Sequence, residues 1–167
     1  VFSGLAHSDF MWDLRLQKNI KRIFTKIHGT RDLVTSFDGF SVFFTKKQKT
    51  QPWLHVDQCP SNPMYCVQGQ YNFFPVREDS AGFVVVPKSH KMNIETDSIR
   101  DWVVIGDHPG AIKLIIPENC FIVWNSRTIH ANTGMTCDQV RFDRLTCYVT
   151  YLPRALRSEE VFDQKIQ

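Results

Sequence analysis

The sequence has no excess of one sign of charge. Lys and Arg together number 20 and Asp and Glu number 17, so the formal net charge at pH 7 is only +3, and the basic residues are scattered along the chain. Nucleic-acid-binding domains more often concentrate basic residues in a patch or stripe. The charge distribution therefore argues against a nucleic-acid partner, and we expect a small molecule instead.

The sequence also lacks a long apolar run. Its longest aliphatic runs include 83–86 and 114–116, whereas a helix that crosses a bilayer needs about 20 apolar residues. We therefore predict no membrane span, and we interpret these runs as buried strands.

Cysteine pairs of the kind that bind zinc or build disulfide frameworks are missing as well. The five Cys residues are odd in number, and no two of them form a C-x-x-C pair. Disulfide-stapled secreted domains favour even counts, and structural zinc sites favour closely spaced pairs. We expect reduced thiols and an intracellular, cytoplasmic location.

Apolar and aromatic residues, in contrast, are plentiful. They make up 43% and 13% of the 167 residues, and 13 of the rings belong to Phe. This composition is typical of a folded globular protein, and the length suits one core. We therefore predict a single domain over residues 1–167.

The predicted elements begin with helix and continue with strands. Residues 8–28 have helical apolar spacing, with Ser8 as the N-cap and Gly29 as the stop. Short β-type runs follow at 34–37, 40–44, 53–56, 65–76, 82–86, 111–116, 120–124 and 140–152. Residues 89–109 are predicted as loop. The pattern predicts a mainly β protein with N-terminal helices, whose sandwich or barrel occupies about 34–152.

The most informative segment is Trp-Leu-His-Val-Asp at 53–57. His55 and Asp57 are two residues apart, and residues at that spacing in a strand point to the same face. One strand thus presents an imidazole and a carboxylate together, as a metal site requires. An H-x-D pattern also arises by chance, so the assignment depends on further ligands.

His130 is the predicted third ligand. It follows the apolar run 120–124 and a short polar turn, so a buried strand would deliver it to a cavity. Two His and one carboxylate with open positions form the facial arrangement of non-heme Fe(II) oxygenases. His90, in a Pro-Lys-Ser-His turn, is a weaker fourth candidate that fits a structural turn better.

Arg144 and Thr146 share one face of a predicted strand and suit a carboxylate. Arg offers a planar fork of donors, and Thr offers one more. Arg141 is the alternative, and it falls on the opposite face if the strand is regular.

Three amides, those of Gln68, Gln70 and Asn72, lie on one face of another predicted strand. Buried amides need hydrogen-bond partners, which a polar pocket would supply, although a solvent-facing edge strand explains the pattern equally well. We assign Asn72 to the cofactor site and the two glutamines, with Trp53 and Trp124, to a substrate-binding wall.

Taken together, these segments resemble the phytanoyl-CoA dioxygenase family of Fe(II)- and 2-oxoglutarate-dependent oxygenases. The matching segments are 53–58, 82–91, 121–132 and 144–146. Two features differ from the family pattern. Lys88 takes the place of a usual Gly, and the spacing from His130 to the arginine is somewhat long, which keeps Arg141 open.

The resemblance implies a double-stranded β-helix, which is a jelly-roll barrel. It implies Fe(II) on His55, Asp57 and His130, and 2-oxoglutarate anchored by Arg144 with Thr146. The implied reaction uses molecular oxygen to hydroxylate a C–H bond of a small organic substrate, with release of succinate and carbon dioxide. The intact Asp57 favours hydroxylation, because relatives that halogenate lack this carboxylate.

Two alternatives remain open from the sequence. A cupin-like barrel with the same metal ligands but without 2-oxoglutarate would not need Arg144. A non-catalytic barrel that binds a small molecule would need neither His55 nor Asp57 for its ligand. No motif indicates the substrate or the oligomeric state.

Overall fold

The computed structural model of this chain describes residues 4–43, 53–59, 61–94, 102–136 and 142–157. The chain forms two compact units. The first comprises Val1–Gly39 and Tyr148–Gln167, and the second comprises Phe40–Cys147. The prediction of a single domain over all residues stays a prediction.

The first unit contains two helices where one was predicted. A short 3-10 turn at Leu5–His7 precedes α1 (Asp9–Arg15) and α2 (Lys18–His28). The helices separate because Gln17 leaves the helical region, with ψ at 117°, and becomes the N-cap of α2. No helix in the described ranges is long and apolar enough to cross a membrane.

The ends of these helices follow the sequence prediction in part. Ser8 is the N-cap residue of α1, but its hydroxyl donates backwards to Leu5 O at 2.8 Å instead of into the helix. Gly29 ends α2 in the left-handed conformation, with φ at 67°, as its lack of a side chain permits. The unit also contains β1 (Leu33–Thr35), which pairs antiparallel with β11 (Tyr151–Pro153).

The second unit consists of two sheets. The first sheet has the order β2 (Phe40–Phe43), β10 (Arg144–Tyr148), β4 (Val67–Asn72) and β8 (Cys120–Asn125). The second has the order β6 (Val103–Gly106), β3 (Leu54–Val56), β9 (His130–Thr133), β5 (Gly82–Val85) and β7 (Ile112–Lys113).

Side chains of these two sheets meet between them. The ring of Phe83 on β5 lies 4.7 Å from that of Trp124 on β8. The pairs β2–β10, β4–β8, β3–β6, β3–β9, β5–β9 and β5–β7 are all antiparallel. The prediction of a mainly β protein with N-terminal helices is confirmed.

Two strands, β6 and β9, were missed by the sequence prediction. β6 lies inside 89–109, where polar residues masked the apolar run Val-Val-Ile that forms an edge strand. β9 reads His-Ala-Asn-Thr, which has little β-propensity of its own. It is a strand because β3 pairs with it on one side and β5 on the other.

The strand β3 separates an apolar cluster from the functional side chains. Leu54 and Val56 are buried on one face of β3, in a cluster with Ile129 and Ala131. His55 lies between them and points to the other face, where it is 5% exposed. The alternation predicted for this strand therefore places core residues and a candidate ligand on opposite sides.

Candidate metal centre

Two histidines face each other across neighbouring strands. His55 on β3 and His130 on β9 are paired in register, and their ring centroids are 4.5 Å apart. The Nδ1 atom of His55 lies 3.0 Å from Trp53 O, and that of His130 lies 2.8 Å from Thr128 O. Because a carbonyl can only accept, each Nδ1 atom carries a proton, and each Nε2 atom faces Asp57 instead.

Asp57 completes the group immediately after β3. Its Oδ1 lies 3.5 Å from Nε2 of His55, and its Oδ2 lies 3.3 Å from Nε2 of His130. Its main-chain N–H donates to Ser126 O at 3.1 Å, and Gln68 Nε2 donates to its Oδ2 at 2.8 Å. These two bonds direct the carboxylate toward both histidines.

His55, Asp57 and His130 are called the metal cluster below. One ligand atom from each lies within 4.8 Å of the others, and ligands bound to one first-row metal ion are about 3 Å apart. Small side-chain shifts would therefore close the group around an ion. No other group of three His, Cys, Asp or Glu side chains in the described part of the chain has this spacing. Two imidazoles and one carboxylate suit Fe(II).

The surroundings of His55 and Asp57 lower the pKa of each side chain. Burial lowers the pKa of His55 below its ordinary value of 6.5, and the nearby His130 lowers it further. Burial alone would raise the pKa of Asp57. The hydrogen bond and charge of His130, together with the Gln68 bond, nevertheless bring this pKa below its ordinary value of 3.8. Both shifts favour the deprotonated forms of His55 and Asp57, which are the forms that bind a metal ion.

A second polar group is centred on Arg144, which is 1% exposed on β10. Its Nη1 donates to Asn132 Oδ1 at 2.7 Å and to Gly82 O at 3.2 Å, and its Cζ lies 5.7 Å from the centroid of the Phe43 ring. Asn132 lies on β9, two residues beyond His130. The arginine thus contacts the strand that carries a candidate metal ligand.

Thr146 and Asn72 extend this second group, and both are fully buried. The hydroxyl of Thr146 donates to Tyr71 O at 3.1 Å and lies 3.4 Å from Asn72 Oδ1. Gln70 Nε2 donates to the same Oδ1 at 3.4 Å. The group is called the arginine cluster below, and it consists of Arg144, Asn132, Thr146 and Asn72.

Three buried polar atoms between the sheets have no hydrogen-bond partner within the described residues: Gln68 Oε1, Gln70 Oε1 and Trp124 Nε1. Such atoms in folded proteins normally bond to protein, water or ligand. Gln68 on β4 is paired in register with Trp124 on β8, and its amide nitrogen reaches Asp57. This interior therefore suits a small polar ligand beside the metal cluster.

Indole rings line the side of the metal cluster that meets solvent. The ring of Trp53 stacks on His55, with centroids 4.7 Å apart and planes at 26°. The ring of Trp102, just before β6, lies 5.6 Å from His55. Trp53 and Trp102 are 36% and 51% exposed, so they form an apolar wall at the edge of the site.

The structure brings most of the predicted site residues together. The metal cluster contains all three predicted ligands, and the arginine cluster contains Arg144, Thr146 and Asn72. Trp53 contacts His55, and the ring of Trp124 lies 5.3 Å from that of His130. The roles assigned to these residues stay predictions.

The remaining candidate residues have the following surroundings. Gln68 and Gln70 bond through their amide nitrogens to Asp57 and Asn72, and their place in a substrate-binding wall stays a prediction. His90 lies in the 3-10 turn Ser89–Lys91 and lines a separate cavity of about 310 Å³ with Val56, which points away from the metal cluster. Arg141 lies outside the described residues.

Sequence reasoning missed two residues of the site, Asn132 and Trp102. Asn132 shares its strand face with His130 by the spacing of two, a signal that was present but hidden because β9 was not predicted. Trp102 adjoins β6, whose Val103 and Val104 pair with Val56 and His55. Predicting β6 would have placed this indole beside the metal cluster.

Comparison with known proteins adds related sequences and folds. No protein-family model matches the chain. The Ava biosynthesis cluster protein O of Aspergillus versicolor is 24% identical over 190 residues, which cover 98% of this chain and 61% of that protein. The chain therefore spans less than two thirds of the length of this relative.

Two similar solved structures are described with 2-oxoglutarate (alpha ketoglutarate) bound, and one of them is also described with iron. The epimerase SnoN in complex with Fe3+, alpha ketoglutarate and nogalamycin RO has a TM-score of 0.59 at 17% identity, covering 87% of this chain and 59% of SnoN. EvdO2 from Micromonospora carbonacea var. aurantiaca, complexed with 2-oxoglutarate, has a TM-score of 0.58 at 16% identity, covering 85% of this chain and 62% of EvdO2. At such identities the likeness shows a shared fold.

Proposed function

We propose that this chain carries the active site of a non-heme iron and 2-oxoglutarate-dependent dioxygenase that hydroxylates a C–H bond of a small organic substrate. The metal cluster carries the proposal, because two imidazole Nε2 atoms and a carboxylate converge within 4.8 Å. The Fe3+ and 2-oxoglutarate bound to structures of the same fold support it.

We also propose that the second unit is a double-stranded β-helix, as in the phytanoyl-CoA dioxygenase family. Two antiparallel sheets of four and five strands, with the metal cluster on the inner face of one and the arginine cluster bridging both, support this assignment. The matching order of the histidine, carboxylate and arginine along the chain supports it as well.

The metal cluster would hold Fe(II) on one side and leave positions for cosubstrate and oxygen. The carbonyl bonds at both Nδ1 atoms keep the imidazoles in the right tautomer and orientation, and Gln68 does the same for Asp57. When bound, iron with 2-oxoglutarate supplies an oxidant made from O2. In the overall reaction one oxygen atom enters the substrate C–H bond and the other enters succinate, with release of carbon dioxide.

The arginine cluster would bind the far carboxylate of 2-oxoglutarate. Arg144 is a buried cation with a planar fork of donors, which matches a carboxylate in charge and shape. The hydroxyl of Thr146 and the amide of Asn72 lie beside each other on neighbouring strands and add polar contacts. The cluster thus orients the cosubstrate, while the metal cluster holds its reactive end.

The substrate would approach over the indole wall. Trp53 and Trp102 offer exposed ring faces next to His55, and aromatic faces bind the apolar parts of small ligands. Gln68, Gln70 and Trp124 would contact substrate or water through the atoms that have no hydrogen-bond partner among the described residues. These assignments place the substrate between solvent and the metal cluster.

Epimerisation is a second candidate outcome, because one structure of the same fold is described as an epimerase. Hydroxylation and epimerisation both need a substrate C–H bond next to the metal cluster. Turnover under isotopically labelled oxygen distinguishes them, since hydroxylation puts the label into the product and epimerisation does not.

An anaerobic titration tests the proposed function. Metal-free protein is mixed with Fe(II) and then with 2-oxoglutarate, and a weak visible charge-transfer band is followed. We expect the band in the wild type, no band in His130→Ala and a weaker band in Arg144→Ala. The controls His90→Ala and Arg154→Ala remove the same side-chain types outside the two clusters and should leave the band unchanged.

Each failure has its own meaning. Iron bound without a band on addition of 2-oxoglutarate would replace the proposal with the cupin-like alternative, an enzyme that does not use this cosubstrate. Iron that fails to bind would leave a small-molecule-binding barrel without metal chemistry.

A further inference from the structure

Asn132 lies where the arginine cluster meets the strand of the metal cluster. Its Oδ1 accepts from Arg144 Nη1 at 2.7 Å, and its main-chain carbonyl accepts from Trp53 Nε1 at 2.8 Å. It is also paired in register with Phe83 on β5. Its backbone is therefore held by β5 on one side and by the indole of Trp53, just before β3, on the other, and its side chain faces the arginine.

The contact with Asn132 orients the guanidinium. Arginine can only donate, so the amide of Asn132 turns its oxygen toward Nη1. The same Nη1 donates to Gly82 O at 3.2 Å. Because the guanidinium is planar and rigid, two acceptors at one nitrogen set the direction of the whole fork.

The chemical type of Asn132 matters as much as its position. An aspartate has nearly the same shape and would hold the arginine equally well, but it would also cancel its charge. In a site as buried as that of Arg144, a neighbouring carboxylate strongly reduces the attraction for a second anion. The carboxylate of the nearby Asp143 accepts a hydrogen bond from the N–H of Ala81, and its charge favours the protonated form of Lys113.

We propose that Asn132 is a positioning residue of the cosubstrate site, which directs Arg144 toward an incoming dicarboxylate while leaving the positive charge of the arginine intact. The inference rests on the proposed function, since it takes 2-oxoglutarate as the ligand of Arg144. In this role the neutrality of the Asn132 amide matters, whereas for a merely structural hydrogen bond an aspartate would serve equally well.

Calorimetric titration of 2-oxoglutarate into anaerobic Fe(II)-loaded protein tests this role. Asn132→Ala should weaken 2-oxoglutarate binding about 10-fold, because one charge-assisted bond to the arginine is lost. Asn132→Asp should weaken it more, about 100-fold, although it keeps the bond, because it neutralises Arg144. The order of the two variants in thermal stability should be the reverse, with Asn132→Asp at least as stable as Asn132→Ala.

The matched control is Asn125→Asp, which adds the same charge in the same unit. Asn125 Oδ1 accepts from the N–H of Arg127 at 2.9 Å, a bond that a carboxylate also makes. This variant should bind 2-oxoglutarate within about 2-fold of the wild type. If Asn132→Asp does not fold, Asn132→Ser serves instead: its neutral acceptor should keep affinity closer to the wild type than Asn132→Ala does.

Two kinds of failure are distinguishable. Wild-type protein that binds Fe(II) but not 2-oxoglutarate would refute the proposed function, and this inference with it. Wild-type protein that binds 2-oxoglutarate, while Asn132→Asp binds it as well as or better than Asn132→Ala, would refute the inference alone. If Asn132→Ser is used instead, a 2-oxoglutarate affinity no better than that of Asn132→Ala would likewise refute the inference alone.

Discussion

In the metal cluster each histidine is held by the carbonyl two residues before it, whereas in the arginine cluster the polar groups are held by residues of other strands. His55 and His130 bond to Trp53 and Thr128 of their own segments. Arg144, in contrast, bonds to β9 and β5, which belong to the opposite sheet.

The two clusters also differ in their access to solvent. The side chain of Asp57 is 27% exposed, and exposed indoles adjoin His55. Arg144, Thr146 and Asn72 are completely or almost completely buried. We infer that the metal cluster contributes mainly to metal binding, whereas the arginine cluster also holds the two sheets together. Substitutions in the metal cluster should therefore change metal binding and leave stability almost unchanged. Substitutions in the arginine cluster should change both 2-oxoglutarate binding and stability.

The largest expected effect is that of Asp57→Asn on metal affinity. The amide has the shape of the carboxylate but not its charge, so Fe(II) affinity should fall by more than about 100-fold. The free energy of unfolding of the metal-free protein should change by less than about 1 kcal/mol, because the position is partly exposed. Chelator competition and urea unfolding measure the two quantities. Tight Fe(II) binding by Asp57→Asn would show that the Asp57 carboxylate is not a metal ligand.

The next of these effects is that of Arg144→Lys on cosubstrate affinity and stability together. An ammonium group lacks the planar fork, so it cannot reproduce the geometry at Asn132 and Gly82 while facing a carboxylate. We expect 2-oxoglutarate affinity to fall about 30-fold and the free energy of unfolding to fall by about 2 kcal/mol. Fe(II) affinity without cosubstrate should stay within about 3-fold. A loss of cosubstrate affinity without loss of stability would contradict the inference that the arginine cluster also holds the two sheets together.

A smaller effect is expected for Gly82→Ala. Gly82 does not belong to the arginine cluster, but its carbonyl accepts from Arg144, so this substitution should disturb the cluster indirectly. A Cβ atom at Gly82 would lie 2.6 Å from Lys113 Cε and 3.0 Å from Val76 Cγ1. Lys113 cannot simply swing away, because its Nζ donates to Glu78 O and Ser80 O. We expect a loss of about 1–2 kcal/mol in stability and a few-fold loss in 2-oxoglutarate affinity.

The double variant Gly82→Ala with Lys113→Ala provides the control for this prediction. Removing the lysine side chain frees the space that the new methyl group needs, so part of the stability should return relative to Lys113→Ala alone. If Gly82→Ala unfolds at the same urea concentration as the wild type, the close packing inferred around Gly82 is wrong.

The smallest effect is the pH dependence of the metal-free protein. The pKa of His55 is lowered by burial, so the unfolded chain binds the proton first when pH falls through the ordinary value of 6.5. Stability should thus be greater above that pH and decline as the pH falls below it. Thermal unfolding between pH 7.5 and about 5.5 measures this decline, which should be smaller in His55→Asn than in the wild type. An equal decline in the His55→Asn variant would exclude His55 as its source.

The same contrast between the clusters explains how much the sequence could predict. The metal cluster depends on one local spacing, His55 to Asp57, and on a single strand pairing that brings in His130. The alternation of β3, continued to Asp57 directly after it, places the two ligands on one side, with Leu54 and Val56 in the core on the other. Such short-range features are visible in a sequence.

The arginine cluster depends on contacts between distant segments, and the sequence therefore showed only part of it. Arg144 and Thr146 were found by their spacing of two, but their partners Asn132 and Gly82 lie on strands of the other sheet. Gln68 was assigned to a substrate-binding wall, although a solvent-facing edge strand explained its pattern equally well, and its bond to Asp57 depends on how closely the sheets approach. β9 itself exists only because its neighbours supply the pairing that its own residues do not favour.

A crystal structure of the protein grown anaerobically with Fe(II) and 2-oxoglutarate, with anomalous data at the iron edge, tests the central claim most directly. We predict one strong anomalous peak about 2.2 Å from Nε2 of His55, Nε2 of His130 and a carboxylate oxygen of Asp57. The far carboxylate of 2-oxoglutarate should lie against Arg144. An iron peak elsewhere, or none at these three side chains, would contradict the assignment of the metal cluster.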